Sequence, residues 1–260
     1  MSNESPSPSL TSLLLSTSSQ LFKAATQSAF LVAAGDGTLT KAKLSEWLAQ
    51  DRLYAQAYIG FVGSLLAHAQ LPTQHIPFPH HDDSVHWRIL HTLRAALDNI
   101  FRELKFFEDV AEKYGLDLEA RSTDAPFGPA IATTNYINLF ERFCSPINPD
   151  DPHGANWVLL NGLIVLWATE RCYLEAWQFA ARQSDISRAP ASDADGGALR
   201  EHFIPNWTGQ EFAAFVQQLE QLVNDLMDKE MLFLTEDAQD ECKELWEEVL
   251  DIERRFWPEL

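Results

Sequence analysis

Positive charge is scarce in this sequence: 19 lysines and arginines stand against 38 aspartates and glutamates, a formal net charge of −19. Such a surface repels nucleic-acid phosphates and anionic bilayers, and no block of Lys or Arg offers a local exception. Neither nucleic acid nor membrane is therefore expected as a partner. Long apolar runs are also missing, since none reaches the roughly 20 residues of a membrane span. The opening MSNESPSPSL lacks the basic-then-apolar pattern of a secretory leader. A soluble, cytoplasmic protein is the expectation. Cysteine is sparse: Cys144, Cys172 and Cys242 are odd in number and far apart, without a C-x-x-C pair. That excludes a disulfide framework and a zinc knuckle, and each thiol is expected to be a small buried hydrophobe.

Several catalytic signatures are missing too. There is no G-x-S-x-G elbow for a serine nucleophile. Gly35 and Gly37 read as a helix stop, and Gly196-Gly197 lies in a polar stretch, so no phosphate-cradling loop is present. None of the eight histidines forms the Glu-x-x-His pair of a di-iron bundle. The run HHDDSVH, His80 to His86, follows a proline-rich stretch and reads as a solvated loop rather than a chelating site. No metal or organic cofactor is expected.

Alternating Val/Ile/Thr runs are absent, while helical periodicity dominates. Of the 260 residues 46% are apolar, enough for one sizeable core. Helices are predicted over about Leu10–Ala34, Thr40–Gln70, Asp83–Tyr114, Gly128–Cys144, Pro152–Gln183, Thr208–Lys229 and Glu236–Trp257. GDGT, Gly35 to Thr38, Tyr114-Gly115 and SPINPDDPHG, Ser145 to Gly154, supply the stops. The expected architecture is an all-α bundle: a disordered tail over 1–8, then a single domain over 9–260. Leu71–Asp83 and a flexible, polar loop at 184–200 are its loosely ordered parts.

Acids recur on apolar faces. In LSEWLAQDRLYAQAYIGFVG, Asp51 lies four residues after Trp47 and three before Tyr54, on the stripe that also holds Leu44, Leu48, Tyr58 and Phe61. Glu170 lies three after Trp167, four before Leu174 and seven before Trp177. Glu253 follows Val249 by four and Trp246 by seven, and precedes Phe256 by three. Tyrosines accompany them: Tyr54 is one turn from Asp51, Tyr173 is one turn from Glu170, and Tyr136 shares a stripe with Ala132, Leu139 and Phe143. A buried carboxylate is costly unless protonated or hydrogen-bonded. Three of them imply either a core network closed by tyrosines and a neighbouring Arg52 or Arg171, or a chemical site.

These residues resemble a known family. ATQSAFLVAAGDGTLTKAKLSEWLAQDRLYAQAY is similar to the first motif of the TenA / thiaminase II family, a GTL turn leading into a W-L-x-Q-D-x-x-Y helix. NYINLF resembles its mid-chain tyrosine motif, and ERRFWPEL its closing E-x-x-F-W signature. The resemblance implies a haem-oxygenase-like multi-helical bundle that hydrolyses aminopyrimidines in thiamin salvage. It also implies a homo-oligomer, dimer or tetramer. Carried over, Asp51 would bind and activate the pyrimidine, Tyr54 and Tyr136 would orient it, and Glu253 would protonate the departing group.

The departures are informative. Where one branch has a cysteine four residues before a tyrosine, Thr169 precedes Tyr173, and WATERCYLEAW resembles the glutamate branch instead. Cys172 points about 100° away from Tyr173 on a helix and does not substitute. A carboxylate suits general-base activation of water, so Glu170 is assigned as base, Glu253 as acid and Tyr173 as part of the binding wall. The W-I-x-x-Y tyrosine is replaced by Glu211, with Phe212 beside it, and a His-Pro pair by Ser28-Ala29. Without that histidine an axial haem ligand is missing. The expected function is aminopyrimidine or formylaminopyrimidine hydrolysis. The alternatives are a non-catalytic member binding a small heteroaromatic ligand or a protein, and an enzyme of the same fold acting on a quinone precursor.

Overall fold

The computed structural model describes residues 8–121, 126–145, 154–230 and 236–260. Ten α-helices run in chain order: α1 Leu10–Thr17, α2 Ser19–Thr26, α3 Ala29–Asp36, α4 Lys41–His68, α5 Val85–Tyr114, α6 Ile131–Glu141, α7 Gly154–Arg182, α8 Ile204–Trp207, α9 Gln210–Glu230 and α10 Glu236–Phe256. Short 3₁₀ turns cover Phe78–Asp83 and Pro190–Ser192, and a wide π-type turn over Leu199–Phe203 leads into α8. No strand occurs among the described residues.

The helix at the centre is α7. Every residue from Leu159 to Thr169 is buried, so this helix has no solvent face along three turns. It packs against α2, α3, α4, α8, α9 and α10. Glycine sets two of those approaches. A β-carbon on Gly162 would run into the Leu65 side chain of α4, and one on Gly35 would run into the carbonyl of Ala180, so α3 lies directly on the α7 backbone.

The helix predicted as one rod over Leu10–Ala34 is three helices. Ser18 adopts φ −118°, ψ 33°, and Gln27 φ −137°, ψ 66°, both non-helical. Ser28 then restarts the chain as an N-cap, its Oγ accepting from the Leu31 N–H at 3.3 Å. The serine standing in place of a His-Pro pair therefore caps a helix. Thr40 does the same for α4, accepting from Lys43 N at 3.3 Å. The expected glycine stops close α3 and α5, with Gly37 at φ 76° and Gly115 at φ 65°.

The 184–200 segment is tied down by charge. Arg200 grips Asp193 through two bonds, Nε to Oδ2 at 2.5 Å and Nη2 to Oδ1 at 2.6 Å. Arg188 bridges Asp193 to the Asp36 carbonyl at the end of α3. Asp195, buried, accepts from the N–H groups of Gly197 and Leu199 at 2.9 and 2.7 Å, anchoring the π-type turn. Of the tail expected over 1–8, only Pro8 falls within the described residues. No helix is long and apolar enough to cross a membrane among the described residues. Cys172 and Cys242 are buried, but Cys144 is exposed at the end of α6, because that helix stops at Glu141 and not at Cys144.

Candidate active site

Helices α4, α5, α7, α8 and α9 enclose a cavity of about 310 Å³. From α4 come Asp51, Tyr54, Ala55 and Tyr58, spaced i, i+3, i+4 and i+7 so that one stripe faces the hollow. From α7 come Glu170 and Tyr173, and from α5 Glu103 with Ile100, Phe106 and Phe107. Asn206 and Trp207 of α8 and Phe212 and Phe215 of α9 complete the wall. Arg102 and Glu211 line the outer part, their exposed side chains paired at 3.3 Å.

The acids are held by tyrosines from facing helices rather than by tyrosines on their own helix. The Tyr173 hydroxyl donates to Asp51 Oδ2 at 2.9 Å, and Tyr58 donates to Glu170 Oε1 at 2.8 Å, so α4 and α7 exchange donors. Tyr136 of α6 donates to Glu253 Oε1 of α10 at 2.5 Å. Arginine takes no part in these pairs. Arg52 donates to the Leu118 carbonyl and Arg171 pairs with Glu175, so the cationic partners considered for the acids are engaged elsewhere.

Of the six residues singled out by sequence, Asp51, Tyr54, Glu170 and Tyr173 line the cavity. Glu253 and Tyr136 do not. They stand behind Tyr54, whose ring meets Tyr136 edge-on at 4.9 Å. Glu253 is 4% exposed, and its Oε2 is buried without a hydrogen-bond partner among the described residues. The residue in the cysteine position, Thr169, is buried and donates to the Leu166 carbonyl of its own helix at 2.9 Å.

Burial is the main electrostatic fact. Asp51, 4% exposed, is bonded to Tyr173, whose ring packs among those of Trp47, Trp177, Trp207 and Trp257. Desolvation lifts its carboxyl well above the usual range, and the charges of Glu103, Glu253 and Glu170 add to the lift. Glu170 is pushed up to about 7 by desolvation, against the pull of the Tyr58 hydroxyl. Glu253 is pushed up to about 8, again by desolvation first. Cys172 lies well above its ordinary value through burial and the nearby Glu253 charge, which keeps the thiol protonated and removes it as a nucleophile. Burial thus favours the protonated form of all three acids, and brings Glu170 in the cavity and Glu253 behind it close to neutral pH.

Glu103 is the site residue that the sequence reading passed over. It accepts from the indole Nε1 of Trp207 and from Asn206 Nδ2 at 3.1 Å. The signal was present: Glu103 follows Ala96 by seven and Ile100 by three, and precedes Phe106 and Phe107 by three and four. That is the spacing that singled out Asp51. Its partners were less legible, because α8 is only four residues long and precedes the start predicted at Thr208. No group of three or more His, Cys, Asp or Glu is placed to hold a metal ion among the described residues. In the His80–His86 run, His81 instead stacks on Trp87, ring centroids 3.8 Å apart.

Comparison with known proteins sets this geometry in context. A probable bifunctional TENA-E protein of Glycine max is 25% identical over 237 residues, covering 91% of this chain and 86% of its own length. A probable transcription factor of Fusarium pseudograminearum is 29% identical over 247 residues, covering 84% of this chain, and the chain spans 45% of that relative's length. A TenA homologue from Pyrococcus furiosus superposes with a TM-score of 0.70 at 22% identity, covering 95% of this chain and 98% of its own. A TenA family transcription regulator from Silicibacter also gives 0.70, at 14% identity, with coverages of 97% and 96%. The fold is accordingly the all-α, haem-oxygenase-like bundle of the TenA homologues. The TENA/THI-4/PQQC family model matches residues 21–260, from within the second helix to the end of the sequence, and the chain belongs to that family.

Proposed function

We propose that the cavity hydrolyses an aminopyrimidine or formylaminopyrimidine, in the manner of a glutamate-type TenA protein of thiamin salvage. The observation that carries this reading is the pair of tyrosine-held carboxyls, Asp51 from α4 and Glu170 from α7, lining one aromatic-walled hollow with no buried cation paired to them among the described residues. A structural ion pair needs no such space.

In this reading Asp51 hydrogen-bonds the pyrimidine and is kept in place by Tyr173, while Tyr54 and the aromatic wall orient the ring. Glu170, with a proton affinity matched to neutral pH, takes a proton from water as the water oxygen bonds to the substrate. The carbon–nitrogen bond breaks and the amine leaves with a proton. Glu253 is assigned as the source of that proton; it is bonded to Tyr136, whose ring meets that of Tyr54 on the cavity wall.

Glu170→Gln keeps an acceptor for Tyr58 but cannot accept the water proton. Ammonia release from 4-amino-5-aminomethyl-2-methylpyrimidine is expected to fall by about 10²- to 10⁴-fold with binding retained. Undiminished turnover would remove Glu170 from the chemistry. Binding by the wild-type protein without ammonia release would identify a ligand-binding member of the family instead.

A further inference from the structure

The cavity wall holds four acids, Asp51, Glu103, Glu170 and Glu211, and one base, Arg102. Pairing Arg102 with the exposed Glu211 leaves Asp51, Glu103 and Glu170 facing the hollow without a counter-ion among the described residues. These three differ in their partners. Asp51 and Glu170 each receive a tyrosine hydroxyl, a group that can donate to the acid and accept from it. Glu103 receives two N–H groups, the Trp207 indole on Oε1 and the Asn206 amide on Oε2. N–H groups only donate, so both Glu103 oxygens are fixed as acceptors and its plane is set by two adjacent residues of α8.

A proton on Glu103 would disturb one of those two bonds, whereas a proton on Asp51 or Glu170 need not. Burial raises the Glu103 carboxyl above its ordinary value, and the two donors offset only part of that rise. The charge of Glu103 in turn raises Asp51, Glu170 and Tyr173. Asp51 and Glu170 can thus each carry a proton without losing the tyrosine bond, whereas the geometry at Glu103 favours the carboxylate. An anion held rigidly in a partly desolvated pocket, facing empty space, is complemented best by a positively charged nitrogen.

We infer that Glu103, positioned by Trp207 and Asn206, is the binding residue for a cationic amine arm carried by the heteroaromatic ligand, and sets a preference for charged over neutral arms. The inference rests on the small-heteroaromatic reading of the cavity but not on hydrolysis.

The test compares wild type, Glu103→Gln and Glu103→Asp. One ligand is 4-amino-5-aminomethyl-2-methylpyrimidine, whose arm is an ammonium at pH 7, and the other is 4-amino-2,5-dimethylpyrimidine, which has no arm. Affinity is read by calorimetry or, where turnover occurs, as KM. The wild type is expected to favour the ammonium ligand. Glu103→Gln should weaken it by about tenfold or more while leaving the armless ligand unchanged, since a hydrogen bond to a charged group is lost only for the first. Unchanged binding of the armless ligand also reports that the variant folds, and Glu103→Asp should retain part of the preference. A wild type that binds both ligands alike or neither, or a Glu103→Gln variant that weakens both in parallel, overturns the inference. Charge preference without ammonia release would count against hydrolysis and leave Glu103 in its role.

Discussion

Glu253 keeps one carboxyl oxygen buried and, among the described residues, unpartnered while the other takes the Tyr136 hydroxyl, an arrangement that suits a protonated acid and penalises an ionised one. Glu170 shares the tendency, and both hold their proton more tightly in the folded chain than in the unfolded one. Their contribution to stability is complete below the ordinary value of 4.5 and is lost as pH rises through about 7 for Glu170 and about 8 for Glu253. The melting temperature is therefore expected to fall between pH 5 and pH 9, by thermal melts in one buffer series. Glu253→Gln cannot ionise and keeps an acceptor for Tyr136, so it should melt several degrees above wild type at about pH 9 and close to it at about pH 5. A variant less stable than wild type at both ends would show that burial does not strain this acid.

Among the elements, the contact most exposed to a single methyl group is that of α3 on α7. Gly35→Ala would drive its β-carbon into the Ala180 carbonyl, a backbone atom that cannot turn aside. The expected cost is about 2–3 kcal/mol or more, read from denaturant unfolding. Gly60 provides the internal contrast, because it lies within α4, is exposed and has open space around a β-carbon. Gly60→Ala should stabilise by about 0.5–1 kcal/mol through helix propensity alone. Equal effects at both positions would mean that α3 does not rest on the α7 backbone. The same scale explains the legibility of the site. Asp51, Tyr54 and Tyr58 were readable together because a helix repeats every 3.6 residues, and one stripe must face inward. Which acid meets which hydroxyl was not readable. Neighbours one turn apart on the same helix lie side by side and reach across to the facing helix, so Tyr173 serves Asp51 and Tyr58 serves Glu170.

Across the whole molecule, a net charge of −19 acts as a distributed repulsion that opposes compactness. Ion pairs such as Arg142–Glu248 and Lys105–Asp109 are exposed and offset little of it. Added salt screens charges beyond a Debye length of about 10 Å at 0.1 M. The melting temperature should therefore rise by a few degrees between about 0.01 and 0.2 M sodium chloride. Calorimetric scans that show no change or a fall would indicate that specific ion pairs, such as Asp193 with Arg200, dominate the charge balance.

The sequence by itself determined the helical class, the glycine stops after α3 and α5, the family motifs and the inward placement of three acids, because these follow from local periodicity and from side-chain type. Tertiary structure decided the rest. It alone set which helices share a wall, so that Asp51 and Glu170 meet at one hollow while Glu253 stands behind Tyr54. It also brought Glu103 under Trp207 and Asn206, residues about a hundred positions away. The physical reason is that periodicity fixes the face a side chain occupies, whereas its partner and its proton affinity depend on what the neighbouring helices exclude from water.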